Sequence, residues 1–73
     1  MRPLAKQFVV CLRNARYEAS LERRKIYRAL ADPDAAMHKQ IRVIDESGKD
    51  YLYPECFFAR IVLSAVIRRA LRV

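Results

Sequence analysis

The segment IRVIDESGKDYLY, residues 41–53, constrains the fold most because it has the pattern of a β-hairpin. β-Branched and aromatic residues at both of its ends favour strands, and the polar residues between them favour a turn. Gly48 is the only glycine of the chain, and it can supply the positive φ that a tight turn needs and other residues resist. The sequence therefore predicts two antiparallel strands, around 41–44 and 51–53.

Three further segments are expected to add strands to this hairpin. QFVVCLRN, residues 7–14, is β-branched and aromatic with two apolar faces, which predicts a strand in the middle of a sheet. Alternation predicts a second strand from about Lys25 to Leu30, although the composition of residues 17–30 also favours a helix. FFARIVL, residues 57–63, is expected to form the last strand.

Two short helices are predicted from their caps. Asp32 can cap a helix and Pro33 suits its first position, so a helical turn is expected near residues 33–38. Ser64 is a second cap, for a C-terminal helix at about 64–72. So short a helix is not stable alone in water, and we expect it to cover the open end of the sheet or to pack on a partner. Its apolar side comprises Val66, Ile67, Ala70 and Leu71.

Together these elements predict a mainly β fold with short helices. About five strands, over residues 7–62, are expected to form a small antiparallel barrel. Pro54 lacks a backbone donor, so a bend or 3₁₀ turn should separate the hairpin from the last strand. A chain of 73 residues fits one domain, 1–73, which no repeat or linker interrupts.

This order of elements resembles an SH3-like small barrel. The shared features are a long loop after the first strand and YPECFFARI, which is similar to the 3₁₀ turn and closing strand of that fold. IRVIDESGKDYLYPECFF, with KIYRAL before it, also resembles a group of short uncharacterised bacterial proteins. The resemblance to SH3-like barrels implies a binding module for peptide, RNA or DNA. Peptide-binding SH3 domains have a tryptophan in their proline-recognition groove, and the absence of tryptophan here argues against polyproline recognition.

The charge of the chain favours a polyanionic partner. Net charge is +7, and residues 13–28 carry six basic and two acidic side chains. Residues 60–73 carry four basic side chains and no acidic one. Such a field attracts nucleic acid or an acidic protein surface.

The first functional hypothesis is RNA or DNA binding, with cations on phosphates and bases stacked on tyrosines. Alternation places Tyr51 and Tyr53 on one face of their strand and Leu52 on the other. We expect Leu52 to point inward and both tyrosines outward. The predicted nucleic-acid site comprises Arg23, Arg24, Lys25, Arg28, Arg42, Lys49, Tyr51 and Tyr53.

The alternative hypothesis is a protein-interaction module, either a homodimer or an accessory subunit. It would use the surface of YLYP, residues 51–54, together with the apolar side of the C-terminal helix. The predicted partner-binding residues are Val66, Ile67, Ala70 and Leu71.

Other classes of function have little support in the sequence. The serines lack a nucleophile-elbow context and His38 has no recognisable carboxylate partner, so an enzyme is not expected. His38, Cys11 and Cys56 are too scattered for a zinc site, and neither a metal nor a cofactor is expected. No apolar run could span a bilayer or act as a signal peptide. A cytoplasmic location with reduced thiols is therefore expected.

Overall fold

The computed structural model describes residues 6–71, except for the side chains of Lys6, Arg68 and Leu71. The protein is mainly β with two short helices, as predicted. The elements in chain order are β1 Lys6–Cys11, β2 Ile26–Leu30, α1 Pro33–Met37, β3 Gln40–Ile44, β4 Asp50–Pro54, a 3₁₀ turn at Glu55–Phe57, β5 Phe58–Ile61 and α2 Ala65–Leu71.

All five strands form one antiparallel sheet in the order β4-β3-β2-β1-β5. Val9 of β1 lies opposite Tyr27 of β2 on one side and Arg60 of β5 on the other, which confirms a first strand paired on both edges. Between Lys6 and Leu71 no ladder joins β4 to β5, so the hydrogen bonds leave the sheet open. Closure into a barrel and the SH3-like resemblance stay predictions.

Residues 12–25 form a long loop between β1 and β2, here called the β1–β2 loop, which is closed at its base. The Cys11 N–H donates to the Lys25 carbonyl at 2.9 Å, and the Arg24 N–H donates back to the Cys11 carbonyl at 2.7 Å. Arg16 and Arg24 adopt left-handed conformations, with φ of 73° and 68°. Within the loop, the Leu21 N–H donates to the Tyr17 carbonyl at 2.8 Å. The loop is therefore a hydrogen-bonded unit, and the strand that follows it confirms the alternation seen in the sequence.

The core lies on one face of the sheet and extends under the β1–β2 loop. Side chains in the strands alternate between this face and the other, as the pleat requires. Leu21 brings an apolar anchor from the loop, and burial of such a side chain contributes about 2 kcal/mol. The core cluster consists of Val9, Cys11, Leu21, Tyr27, Ala29, Ile41, Val43, Tyr53 and Phe58.

In strand β4 the residue that points into the core differs from the prediction. Tyr53 is only 3% exposed, whereas Leu52 is 38% and Tyr51 50% exposed. Tyr53 lies opposite the buried Ile41 and therefore points into the core. Its ring can be buried because its hydroxyl donates to the Asp45 carboxylate at 2.5 Å. The inward placement of Leu52 and the exposed placement of Tyr53 were both wrong.

The predicted caps and the 3₁₀ turn are confirmed. The Asp32 side chain accepts from the Ala35 N–H at 3.0 Å, and Pro33 begins α1. Ser64 caps α2 by accepting from the Ile67 N–H at 3.2 Å. Pro54 is the last residue of β4, an outer strand, where a missing backbone donor is tolerated.

Helix α2 does not cover the sheet. Val66 is 73% and Ile67 47% exposed, and Ala70 is exposed as well. Every side chain described in α2 is exposed, so the predicted packing of this helix on its own sheet is wrong for those residues. Within residues 6–71, neither helix has the length and hydropathy needed to cross a membrane.

Replacing Gly48 should destabilise the hairpin through backbone strain alone. Gly48 has φ of +83°, and an added Cβ would meet no atom within 4 Å. We expect Gly48→Ala to lower the free energy of unfolding by about 1–2 kcal/mol, because alanine resists the left-handed conformation. Each kcal/mol corresponds to about 4–8 °C in Tm for a domain of this size, measurable by circular dichroism. Gly48→Asn is the control and should cost less, since asparagine tolerates positive φ; equal losses would contradict the argument.

Candidate functional site

A buried carboxylate organises the turn between β3 and β4, residues 45–49, here called the hairpin turn. Asp45 is buried and accepts three hydrogen bonds. The donors are the Tyr53 hydroxyl at 2.5 Å, the Ser47 hydroxyl at 2.5 Å and the Ser47 N–H at 2.8 Å. A buried charge is stable only when it is paired or hydrogen-bonded in this way.

The neighbouring residue Glu46 fastens the hairpin turn to the β1–β2 loop. Its carboxylate accepts from the Tyr27 hydroxyl at 2.5 Å and lies 2.6 Å from Lys25 Nζ. Its N–H donates to the Ser20 carbonyl at 3.1 Å. The Tyr27 oxygen also accepts from the Glu22 N–H at 2.8 Å, so this hydroxyl joins the loop and the turn.

The protonation states follow from these contacts. Burial acts to raise the pKa of Asp45, but the hydrogen bonds from Ser47 and Tyr53 together outweigh it and hold that pKa below its usual value. The Glu46 pKa is lowered, first by the bond from Lys25 and then by that from Tyr27. Burial and then the bond to Asp45 raise the pKa of Tyr53 to about 12. At neutral pH the carboxylates are ionised acceptors and the tyrosines are neutral donors.

The fastened loop and turn enclose a concavity of about 310 Å³, here called the tyrosine concavity. Tyr17 enters from the β1–β2 loop and Tyr51 from β4, and both rings are exposed to solvent. The Tyr17 ring is held edge-on against Tyr53, with centroids 4.9 Å apart and planes at 85°. Buried Tyr53 and Asp45 lie at the floor, and Ser20 and Ser47 complete the lining.

A second concavity of about 390 Å³, here called the arginine concavity, lies on the same loop. It is lined by Leu12, Arg13, Asn14, Ala15, Glu18 and Arg23. The Asn14 amide donates to the Leu21 carbonyl at 3.1 Å and so joins the outgoing and returning arms of the loop. This bond helps to hold Arg13 and Arg23 on one surface.

Four arginines of the β1–β2 loop are exposed and form no ion pair with any described residue. Unpaired guanidinium groups keep their five donors available for anionic partners. Glu18 follows Tyr17 directly in the chain, so the arginine and tyrosine concavities are neighbours. The four residues are Arg13, Arg16, Arg23 and Arg24.

Two cations of the predicted nucleic-acid site are already paired within the protein. Lys25 is bound to Glu46 at 2.6 Å. Arg42 contacts Asp32 at 2.8 Å and Asp50 at 3.0 Å. Each carboxylate offsets charge that the prediction assigned to phosphate binding.

The remaining predicted residues are not all brought together. Arg28 and Arg42 alternate with core residues and therefore lie on the other face of the sheet. Arg23, Arg24, Lys49 and Tyr51 are exposed, and Tyr51 lines the tyrosine concavity. Tyr53 lies beneath that concavity instead of on the surface.

Sequence reasoning missed Tyr17, Arg13 and Asp45 as parts of this surface. Arg13 belongs to the basic excess of residues 13–28, so charge counting carried a signal for it. Tyr17 sits in an irregular loop, where no periodicity predicts which way a side chain points. The predicted partner residues Val66, Ile67 and Ala70 are exposed, and the Leu71 side chain lies outside the described residues.

Metal and thiol chemistry have no assembled site in the part of the chain described. Among residues 6–71 no group of three or more potential ligands from histidine, cysteine, aspartate and glutamate could hold a metal ion. Cys11 is buried and Cys56 exposed, and both are free thiols. Burial raises the pKa of Cys11, so its thiol stays protonated at neutral pH and behaves as a small apolar core residue.

The two tyrosines of β4 provide a matched test of the buried carboxylate. Tyr53→Phe removes a donor from buried Asp45, so we expect it to lower the free energy of unfolding by about 1–3 kcal/mol. Tyr51→Phe removes an exposed hydroxyl and should change it by less than about 0.5 kcal/mol. Urea unfolding of both variants measures the difference. Equal effects would show that the Tyr53–Asp45 bond does not stabilise the fold.

Comparison with known proteins adds no relative to this description. No family model matches the chain, and no curated protein or solved structure shows significant similarity to it.

Proposed function

We propose that this protein binds single-stranded nucleic acid, RNA or DNA, through the β1–β2 loop and the adjoining hairpin turn. One observation carries the proposal: the loop whose four arginines form no ion pair with a described residue also holds Tyr17, which lines a concavity with exposed Tyr51. Proteins that bind single strands combine cations that contact the phosphate backbone with aromatic rings on which the bases stack. The role is one of binding and not of catalysis.

The arginines of the loop supply the electrostatic part of this proposal. Arg13 and Arg23 line one concavity, and Arg16 and Arg24 are exposed on the same loop. Each guanidinium can form a bidentate contact with a phosphate. Net charge of +7 adds long-range attraction. This set differs from the sequence prediction, because Lys25 and Arg42 are held by carboxylates.

The tyrosines supply the part that favours unpaired bases over duplex. A base must leave its stack to lie against an aromatic ring, and a single strand has bases free to do so. Tyr51 is half exposed and open to a base, and the Tyr17 ring is held in place by Tyr53 before any ligand arrives. Preordered rings lose less entropy on binding than mobile ones.

A cytoplasmic location, which the sequence predicts, agrees with this proposal. The free thiols Cys11 and Cys56 suit a reducing compartment. Nucleic acid is abundant in the same compartment.

The affinity for a short single strand should depend on salt and on the loop arginines. With four arginine contacts, log K should fall with log salt with a slope of about −3, by the relation of about −0.7 per phosphate. Arg23→Ala should weaken binding and reduce that slope by about 0.7. Fluorescence anisotropy across a salt series measures both quantities.

Arg60→Ala is the charge-matched control for this experiment. Arg60 is also exposed, but it lines a small concavity with Asp32 and Arg42 beside α1, away from the β1–β2 loop. Arg60→Ala should leave the slope of log K against log salt nearly unchanged. If both variants lower affinity equally, the effect is that of net charge and the site on the loop is wrong.

The exposed apolar side chains of α2 favour a second candidate function, association with another protein. Val66 and Ile67 are both substantially exposed on a helix that no sheet residue covers among those described. Apolar side chains at helical spacing suit a helix–helix contact between two copies.

If α2 mediates a homodimer, removal of residues 64–73 should yield a folded monomer. The described side chains of α2 are exposed, so their loss should not unfold the sheet. Val66→Ser with Ile67→Ser should have the same effect without shortening the chain. Sedimentation equilibrium over a concentration series measures the state of each. A full-length protein that is monomeric at every concentration would exclude the homodimer.

A further inference from the structure

The floor of the tyrosine concavity presents mostly hydrogen-bond acceptors. The Tyr53 hydroxyl proton is committed to Asp45 Oδ2, and the Ser47 hydroxyl proton to Asp45 Oδ1. A carboxylate oxygen has two lone pairs, so Oδ2 can accept a further bond beside that from Tyr53. The hydroxyls of Ser20, Tyr17 and Tyr51 also line the concavity, and each of them can donate or accept.

This floor selects against anions. Asp45 is a carboxylate with little exposure to water, so a phosphate placed against it would meet an unscreened negative charge. Phosphate therefore suits the neighbouring arginine concavity and not this one. The group that suits the floor is a neutral or cationic donor.

The walls of the concavity select for a flat ligand. Tyr17 and Tyr51 contribute ring surfaces from the loop and from β4, and no described cation lines the space between them. A planar aromatic group gains stacking or edge contacts with both rings. A planar group with a hydrogen-bond donor on its edge meets both requirements.

We infer that the tyrosine concavity binds one unpaired base that carries an exocyclic amino group, with the amino group donating to Asp45. This inference rests on the proposed function and adds a base preference to it. Cytosine, adenine and guanine have such a group, whereas thymine offers only carbonyl acceptors at its exocyclic positions. The one donor on the pairing edge of thymine, N3–H, lies between two carbonyl oxygens, so its approach to Asp45 would place those oxygens against the acceptors of the floor.

Aromatic rings beside a carboxylate also suit a cationic side chain of a partner protein. The positive charge around the concavity disfavours such a cationic ligand. Arg16 precedes Tyr17 directly, Lys49 lies two residues before Tyr51, and the chain carries +7 overall. A cationic peptide would approach against this field, whereas a nucleic-acid strand is attracted by it.

The test compares oligonucleotides of equal length by fluorescence anisotropy at physiological salt and neutral pH. The ligands are oligo-deoxycytidine, oligo-deoxythymidine and an abasic strand with the same number of phosphates. We expect oligo-deoxycytidine to bind about fivefold or more tightly than oligo-deoxythymidine, and the abasic strand to bind most weakly. Tyr51→Ala should abolish the preference, and Tyr51→Phe should keep it because the ring remains. Circular dichroism of both variants verifies that the fold is retained.

The outcomes separate this inference from the proposed function. If all three strands bind with equal affinity and Arg23→Ala lowers that affinity, the base pocket is wrong and the arginine site stands. If no strand binds, both the base pocket and the proposed nucleic-acid binding are wrong. Preference for oligo-deoxythymidine would overturn the assignment of the floor as an acceptor surface. Binding of an oligo-arginine peptide that depends on Tyr51, with no base preference among the strands, would identify a cation site instead.

Discussion

Two tyrosine–carboxylate hydrogen bonds join the sheet to the hairpin turn, and the rest of the structure depends on them. Tyr53 donates to Asp45 and Tyr27 donates to Glu46, each at 2.5 Å. Through them the side chains of β2 and β4 are joined to the turn that connects β3 and β4. Because the tyrosine rings belong to the core, the same residues couple hydrophobic packing to charge satisfaction.

The candidate site is a consequence of this arrangement. Glu46 also binds Lys25 and the Ser20 carbonyl, which draws the β1–β2 loop toward the hairpin turn and forms the tyrosine concavity between them. The same contact removes Lys25 from the cations available to a ligand. The four loop arginines form no ion pair with a described residue, so the charge open to a ligand lies on them.

Local signals predicted most of the secondary structure, and side-chain partners decided what they could not predict. The turn at Gly48, the caps at Asp32 and Ser64 and the alternation in β2 depend on neighbouring residues only, and all were confirmed. The orientation of β4 depended on whether Tyr53 had a buried hydrogen-bond partner. That partner, Asp45, lies across the turn, and alternation alone leaves open which face of the strand points inward. For the site, charge counting found the basic loop but could not tell paired cations from free ones.

The left-handed conformations of Arg16 and Arg24 link the stability of the loop to its charge. An L-residue other than glycine holds such a conformation at a cost of order 1 kcal/mol or more, which the surrounding structure must offset. Glycine at either position would relieve the strain but would also delete one of the four guanidinium groups that have no ion-pair partner among the described residues. Variants selected only for thermal stability would therefore tend to lose positive charge at these two positions, whereas Arg13 and Arg23, which are not left-handed, would be under no such pressure.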